Sequence, residues 1–334
     1  MFGSFRLLRC LVLLVILLAT AFSFCQTSID SVHVTPREKS IEPVEDASAK
    51  LPFGTKLLRA RADLVLVPVS ITDSYNRPVV GLERQNFQLF ENKKERPIKN
   101  FSSEDTPISV GIILDVSGSM ANKLERARDA VAQFVDIANP QDEFFLITFS
   151  DSPHLLTDFT TDSAKIQSDL LTVRSNGRTS LLDAIYLGLR EMRNARYSRR
   201  ALLILSDGGD NHSRYSERDV KDAVREADVL IYAVGTYDTY VNTEEELLGP
   251  DLLRSITNMT GGETFTLSTE AEMPAVTRSI GTQLRHQYVL AYEPLTCHTD
   301  RKWYKINVRL RLPNALRNHF LHVASRRGYY AGGE

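Results

Sequence analysis

The chain holds few of the residues that nucleophilic and metal chemistry usually draw on. Among 334 residues there are three cysteines and seven histidines. Cys10 falls in an apolar N-terminal run, which leaves Cys25 and Cys297. Two distant cysteines exclude a disulfide framework, although one Cys25–Cys297 bridge and a free Cys297 both stay open. Cys297-His298 has no third and fourth ligand near it, so no zinc set forms there. His319 and His322 stand three apart on an expected strand, which turns them to opposite faces rather than toward one zinc ion. There is no Gly-x-x-x-x-Gly-Lys phosphate loop. Ser117 and Ser119 lack the Gly-x-Ser-x-Gly elbow of a hydrolase nucleophile. The formal net charge is -2, which gives no support for broad electrostatic binding to nucleic acid and leaves room only for a local patch.

The N-terminus reads as a targeting segment rather than as fold. Arg6 and Arg9 precede the run CLVLLVILLATAF, Cys10 to Phe22, and Ala21-Phe22-Ser23 supplies small residues for cleavage. A bilayer span needs about 20 apolar residues, so residues 1–23 read as an export signal, with an uncleaved N-terminal anchor as the alternative and a lipid-anchored Cys25 as a weaker one, Phe24 standing where a lipoprotein signal would want a small residue. The expected location is periplasmic, cell-surface or secreted. Residues 24–61 are polar, carry short charge clusters and cannot bury enough apolar surface to offset their ordering entropy, so they read as a disordered linker.

Beyond residue 61 the chain is patterned. DLVLVPVSITD, Asp63 to Asp73, alternates and is rich in β-branched residues, as a strand does. FQLFENKKERPIKNFS predicts two more short strands around a polar turn at Asn92-Lys93-Lys94. This β segment, 62–104, is too small to form its own core. From Ile108 the runs ISVGIILD, DEFFLITFS, RALLILSDG, ADVLIYAVG and GGETFTLS read as buried strands. Helices fall between them. One carries Leu124, Ala127, Val131, Phe134 and Ala138 on one face, and a last one carries Met273, Val276, Ile280 and Leu284. Ser180 with Asp183, and Ser216 with Asp219, have the spacing of capping boxes. The alternation predicts an α/β fold with a doubly wound, mostly parallel sheet over 105–285. QYVLAYEP, YKINVRLRL and HFLHVAS then restore the β pattern over 286–331. Joining these strands to those before Ile108 predicts a flanking β-sandwich split in sequence around the α/β domain, two separate β modules being the alternative.

Ligands of an open α/β sheet collect beyond the carboxyl ends of its strands. Asp115 and Asp207 both end apolar strands. Ser117 and Ser119 follow Asp115 at two-residue steps, and Thr179 stands just ahead of a helix. Two carboxylates and three hydroxyls are hard oxygen donors, which suit Mg²⁺, Mn²⁺ or Ca²⁺ rather than Zn²⁺. Serine and aspartate also favour helix caps, the bland reading of the same residues. Asp210 and Asn211 read either as tuning hydrogen-bond partners of the metal or as turn formers, and Arg178 either as a solvated loop arginine or as a partner of an acidic ligand.

The motif DVSGSM, the threonine of GRTSLLDAI and the aspartate of LSDGGDN together resemble a von Willebrand factor A domain with its metal-ion-dependent adhesion site. The resemblance implies that Asp115, Ser117, Ser119, Thr179 and Asp207 hold the cation, directly or through water. The flanking stretches VTD, ENKKERPIKNF, QYVLAYEP and SRRGYYA are similar to exported acidobacterial-type proteins of this kind. The expectation is therefore a non-enzymatic, exported adhesion module whose cation is completed by an Asp or Glu of a partner protein. The rivals are a structural envelope scaffold and, further off, a metal-assisted hydrolase.

Overall fold

The structure is a computed structural model that describes residues 64–236, 244–294, 302–312 and 320–330. The segments read as export signal and linker, with Cys25, Cys297, His298 and His319, lie outside the described residues.

The chain opens with β1 (Val65–Asp73), β2 (Phe87–Glu91), β3 (Lys94–Arg96) and β4 (Ile98–Ser102). It continues through β5 (Ser109–Asp115), α1 (Leu124–Asp136), β6 (Glu143–Phe149), β7 (Pro153–Thr160), α2 (Ser163–Thr172), α3 (Leu181–Glu191) and β8 (Arg200–Ser206). Then come α4 (Glu217–Glu226), β9 (Leu230–Thr236), α5 (Glu244–Thr260), β10 (Thr264–Leu267) and α6 (Met273–Arg285). β11 (Tyr288–Tyr292), β12 (Trp303–Leu310), β13 (Leu321–Ser325) and β14 (Gly328–Tyr330) complete it. Among the described residues no helix is long and apolar enough to cross a membrane.

The central sheet has the order β10-β9-β8-β5-β6-β7. All its pairs are parallel except β6–β7. β5 is buried throughout because helices cover both faces. Val110, Ile112 and Leu114 join the core under α1, α2 and α6. Ile113 joins the opposite core under α3, α4 and α5. The sheet is thus doubly wound, as the strand and helix alternation predicts. β7, α2 and α5 are elements the sequence pattern does not announce.

The flanking strands from both ends of the chain share sheets. One has the order β13-β1-β11-β4 and the other β14-β12-β2-β3. Their inner faces supply one apolar core that includes Val67, Val69, Leu89, Leu290, Tyr292 and Ile306, so the β-sandwich is split by the α/β domain. The turn at Asn92-Lys93 is a tight hairpin with both residues at positive φ, 45° and 72°. His322 is exposed on β13, opposite Thr72. α6 passes into β11 through only His286 and Gln287. Gln287 is buried and donates Nε2 to Ser70 Oγ of β1 at 3.2 Å.

Glu91 puts a charge inside the sandwich, only 2% exposed. Its Oε2 accepts from Arg96 Nη2 at 2.8 Å, and its Oε1 from Tyr292 and Tyr329 hydroxyls at 3.0 and 2.9 Å. Burial pushes this carboxyl up, but the hydrogen bonds from Arg96, Tyr329 and Tyr292 outweigh burial and hold it below its ordinary value. Glu91→Gln should therefore cost about 2 kcal/mol at pH 7. A lowered carboxyl stabilises the fold above its unfolded titration and loses that contribution as pH falls through the folded value. The gap between parent and variant in urea unfolding should accordingly close below about pH 4. An unchanged gap at pH 3 would refute the assignment.

Candidate metal centre

β5 has β8 on one side and β6 on the other, so the strand order reverses at β5. Such a switch opens a crevice at the carboxyl edge. Asp115 is the last residue of β5, and Asp207 follows the last residue of β8. Leu114 and Leu205 are register partners, so both carboxylates leave the sheet at the same edge.

The Asp115 turn is built locally. Asp115 Oδ1 accepts the Ser117 amide at 2.9 Å, which folds the chain back on its own carboxylate. Ser117 and Ser119 hydroxyls then lie 3.1 Å apart. Gly118–Met120 forms a 3-10 turn for which Ser117 makes no side-chain cap bond, and α1 starts only at Leu124. The two hydroxyls are therefore not spent on capping.

Two further loops are tied to this turn. The Ser175 hydroxyl donates to the Ser117 carbonyl. The Asn176 amide donates to the Val116 carbonyl at 2.8 Å, and the Gly118 amide to the Gly177 carbonyl at 3.0 Å. Thr179, two residues on, is 5% exposed. Asn211 Oδ1 accepts the Thr179 amide at 3.1 Å, and the amides of Asn211 and His212 donate to the Thr179 carbonyl at 3.0 Å each. The Arg178 amide donates to Asp151 Oδ1, while its guanidinium meets His212 Nδ1 at 3.4 Å. The structure thus brings the turns of Asp115, Thr179 and Asp207 into one hydrogen-bonded corner.

The capping box expected at Ser180 and Asp183 does not form. Ser180 makes no cap bond, and its Oγ is buried without a partner among the described residues. The 210–213 loop caps α3 instead. Asp210 Oδ1 accepts from the Leu182 amide and Ser213 Oγ from the Asp183 amide, while Asp183 itself accepts the amides of Arg214 and Tyr215. Asp210 and Asn211 therefore hold α3 and the Thr179 loop in place. At Ser216 and Asp219 the box is present.

Two residues that sequence reasoning passed over complete the corner. Ser206 Oγ donates to Asp115 Oδ2 at 2.6 Å and accepts the Gly208 amide at 3.0 Å. Lys123, 3% exposed, brings Nζ to 4.0 Å from Asp207 Oδ2. Gly208, at φ 82°, lets the Asp207 loop lie against the backbone of Gly249 in α5, where any Cβ would collide. Burial, and then the charge of Asp207, push the Asp115 carboxyl up to about 7 against the bonds from Ser117 and Ser206. Two crowded carboxylates faced by one ammonium leave an excess of buried negative charge. With hydroxyls alongside, that donor chemistry fits a hard divalent cation. Among the described residues no group of three or more His, Cys, Asp or Glu side chains forms a metal set of the other kind.

Residues 110–209 match the family model of the von Willebrand factor type A domain. Inter-alpha-trypsin inhibitor heavy chain H4 of Homo sapiens is 26% identical over 134 residues, 36% of this chain and 14% of that protein. An uncharacterized protein of Borreliella burgdorferi is 23% identical over 175 residues, 45% of this chain and 51% of that protein. The chain thus spans about half or less of the length of these curated relatives. Among solved structures, the von Willebrand factor type A protein from Catenulispora acidiphila superposes with a TM-score of 0.48 at 13% identity, over 82% of this chain and 75% of that one.

Proposed function

We propose that the region matching the von Willebrand factor type A domain, residues 110–209, is a divalent-cation-dependent protein-binding module of an exported, non-enzymatic protein. Asp115, Ser117, Ser119, Thr179 and Asp207 would hold Mg²⁺, or Mn²⁺ or Ca²⁺. When bound, the cation supplies positive charge and a coordination position for the carboxylate of a partner protein's Asp or Glu. The observation that carries this reading is the hydrogen bonding of the Thr179 and Asp207 loops to the turn that follows the buried Asp115, with Ser117 and Ser119 hydroxyls left out of any helix cap. The chain's own residues do the positioning. Ser206 orients Asp115, Asn211 fixes the Thr179 backbone, and Lys123 balances Asp207.

Thermal denaturation of the full chain in Mg²⁺, Mn²⁺ or EDTA tests the proposal. A cation at 100 times its dissociation constant should add about 2.7 kcal/mol. An acidic peptide should add a further shift only when the cation is present. Equal melting in Mg²⁺ and EDTA would refute the metal, and a peptide shift that survives EDTA would refute the bridging role.

A further inference from the structure

At the opposite end of the parallel strands lies a second feature of different chemistry. A groove of about 1050 Å³ runs between the outer face of β2 and β12 and the C-terminal ends of α4 and α5. Lys93, Arg225, Lys305, Arg309 and Arg327 line it, with no acidic residue among the described lining residues. Only Arg225 has a carboxylate partner among the described residues, Asp222 at 2.6 Å. Five cations in one groove stand against a whole-chain charge of -2, so the charge here is local rather than compositional. Lys93 occupies the second hairpin position at φ 72°, where glycine is the relaxed choice, so the turn bears backbone strain to present a lysine. Arg309 lies over the Phe90 ring at 4.9 Å, and Trp303 and Asn307 complete the wall. The groove continues into a smaller cavity of about 180 Å³ that shares Arg225, Met259 and Trp303 and adds Arg200 and the Arg326–Asp228 ion pair.

We propose that this groove binds an anionic polysaccharide, a chain of sugars bearing carboxylate groups, along β12 of the sandwich. The cations meet the acid groups, Asn307 offers amide hydrogen bonds, and Trp303 offers an apolar face to a sugar ring. A peptide strand is the poorer occupant. β12 bonds to β14 over Trp303–Lys305 and to β2 over Ile306–Leu310, and the groove lies over the face of this sheet rather than along an edge that a strand could extend. The metal corner lies at the other end of β8, whose seven residues, Arg200 to Ser206, span about 20 Å of rise. One face would then hold a polymer while the far edge holds a protein.

Trp303 is the chain's single tryptophan, so intrinsic fluorescence reads this groove directly. Oligogalacturonate titrated into the full chain, with EDTA present to silence the metal corner, should shift the emission saturably, while neutral dextran of equal length should not. Raising the salt should weaken the response. Lys305→Glu with Arg309→Glu should raise the dissociation constant at least roughly tenfold. Lys93→Gln with Arg327→Gln, on other parts of the lining, should act in the same direction if the first pair fails to fold. No saturable shift, or equal affinity in natively melting variants, would overturn the proposal. Tighter binding of polyglutamate or single-stranded DNA of matched charge would overturn the assignment to a polysaccharide.

Discussion

Asp115→Asn should melt above the parent protein in EDTA at pH 8 and below it in saturating Mg²⁺. Asp115 is fully buried, and burial and the charge of Asp207 both oppose its ionisation. At pH 8 the parent must hold that charge in place with hydrogen bonds from Ser117 and Ser206 and one ammonium, Lys123, which lies beside the other carboxylate. Asparagine keeps the shape, accepts the Ser117 amide through its oxygen and offers its amide to Ser206 Oγ. It removes the repulsion and with it the electrostatic reason to bind a cation. The parent alone should gain about 2.7 kcal/mol from Mg²⁺ at 100 times its dissociation constant. For a chain of this size that is roughly 4–5 °C in melting temperature. A variant that kept the full Mg²⁺ shift would remove Asp115 from the ligand set. A variant less stable than the parent in EDTA would show that crowding of the two carboxylates is not the dominant local cost.

Gly262→Ala should cost about 3 kcal/mol or more and lower the melting temperature by roughly 5 °C. Gly262 lies in the connection from α5 to β10, pressed against the backbone of β9. A Cβ there would stand 1.9 Å from the Ile231 carbonyl oxygen and 2.7 Å from its carbon. Side chains can rotate away from such a contact, but β9 cannot move. It is paired to β8 through Leu202–Ile231 and to β10 through Thr264–Ala233. The Ile231 amide is also held by Thr260 Oγ1 at 3.0 Å. Relief must come from displacing the turn, which would disturb the hydrogen bond from the Ala233 amide to the Glu263 carbonyl. Denaturant unfolding measures this directly, and a loss under about 1 kcal/mol, the scale of an ordinary surface change, would show that the turn can shift freely.

The buried strands were readable because periodicity reports them without knowledge of neighbours. ISVGIILD and RALLILSDG are apolar on both faces, and the sheet does bury both. β7 was not readable because it is a largely exposed edge strand. α2 buries only Ile166 and Leu170, too few apolar positions to set a helical period. α5 contains Gly249-Pro250, which reads as a break, yet the helix continues through it. At Ser180 the local pattern was satisfied and still lost, because Asp210 and Ser213 reach the first amides of α3 from a distant loop. The Asp-x-Ser-x-Ser turn was legible since its geometry is local. Ser206, which orients Asp115 from 91 residues away, becomes visible only once β5 and β8 are known to be neighbours. The groove along β12 had no sequence signal for the same reason, its cations being contributed by four separate segments.

The chain leaves the sandwich at β4 and returns at β11, and these two strands pair side by side, with Ser102 opposite Val289. Traction applied at the two ends of the molecule would therefore be borne first by the antiparallel ladders of the sandwich. The inserted α/β domain hangs from this paired junction and is shielded from end-to-end tension until β4 and β11 are sheared apart.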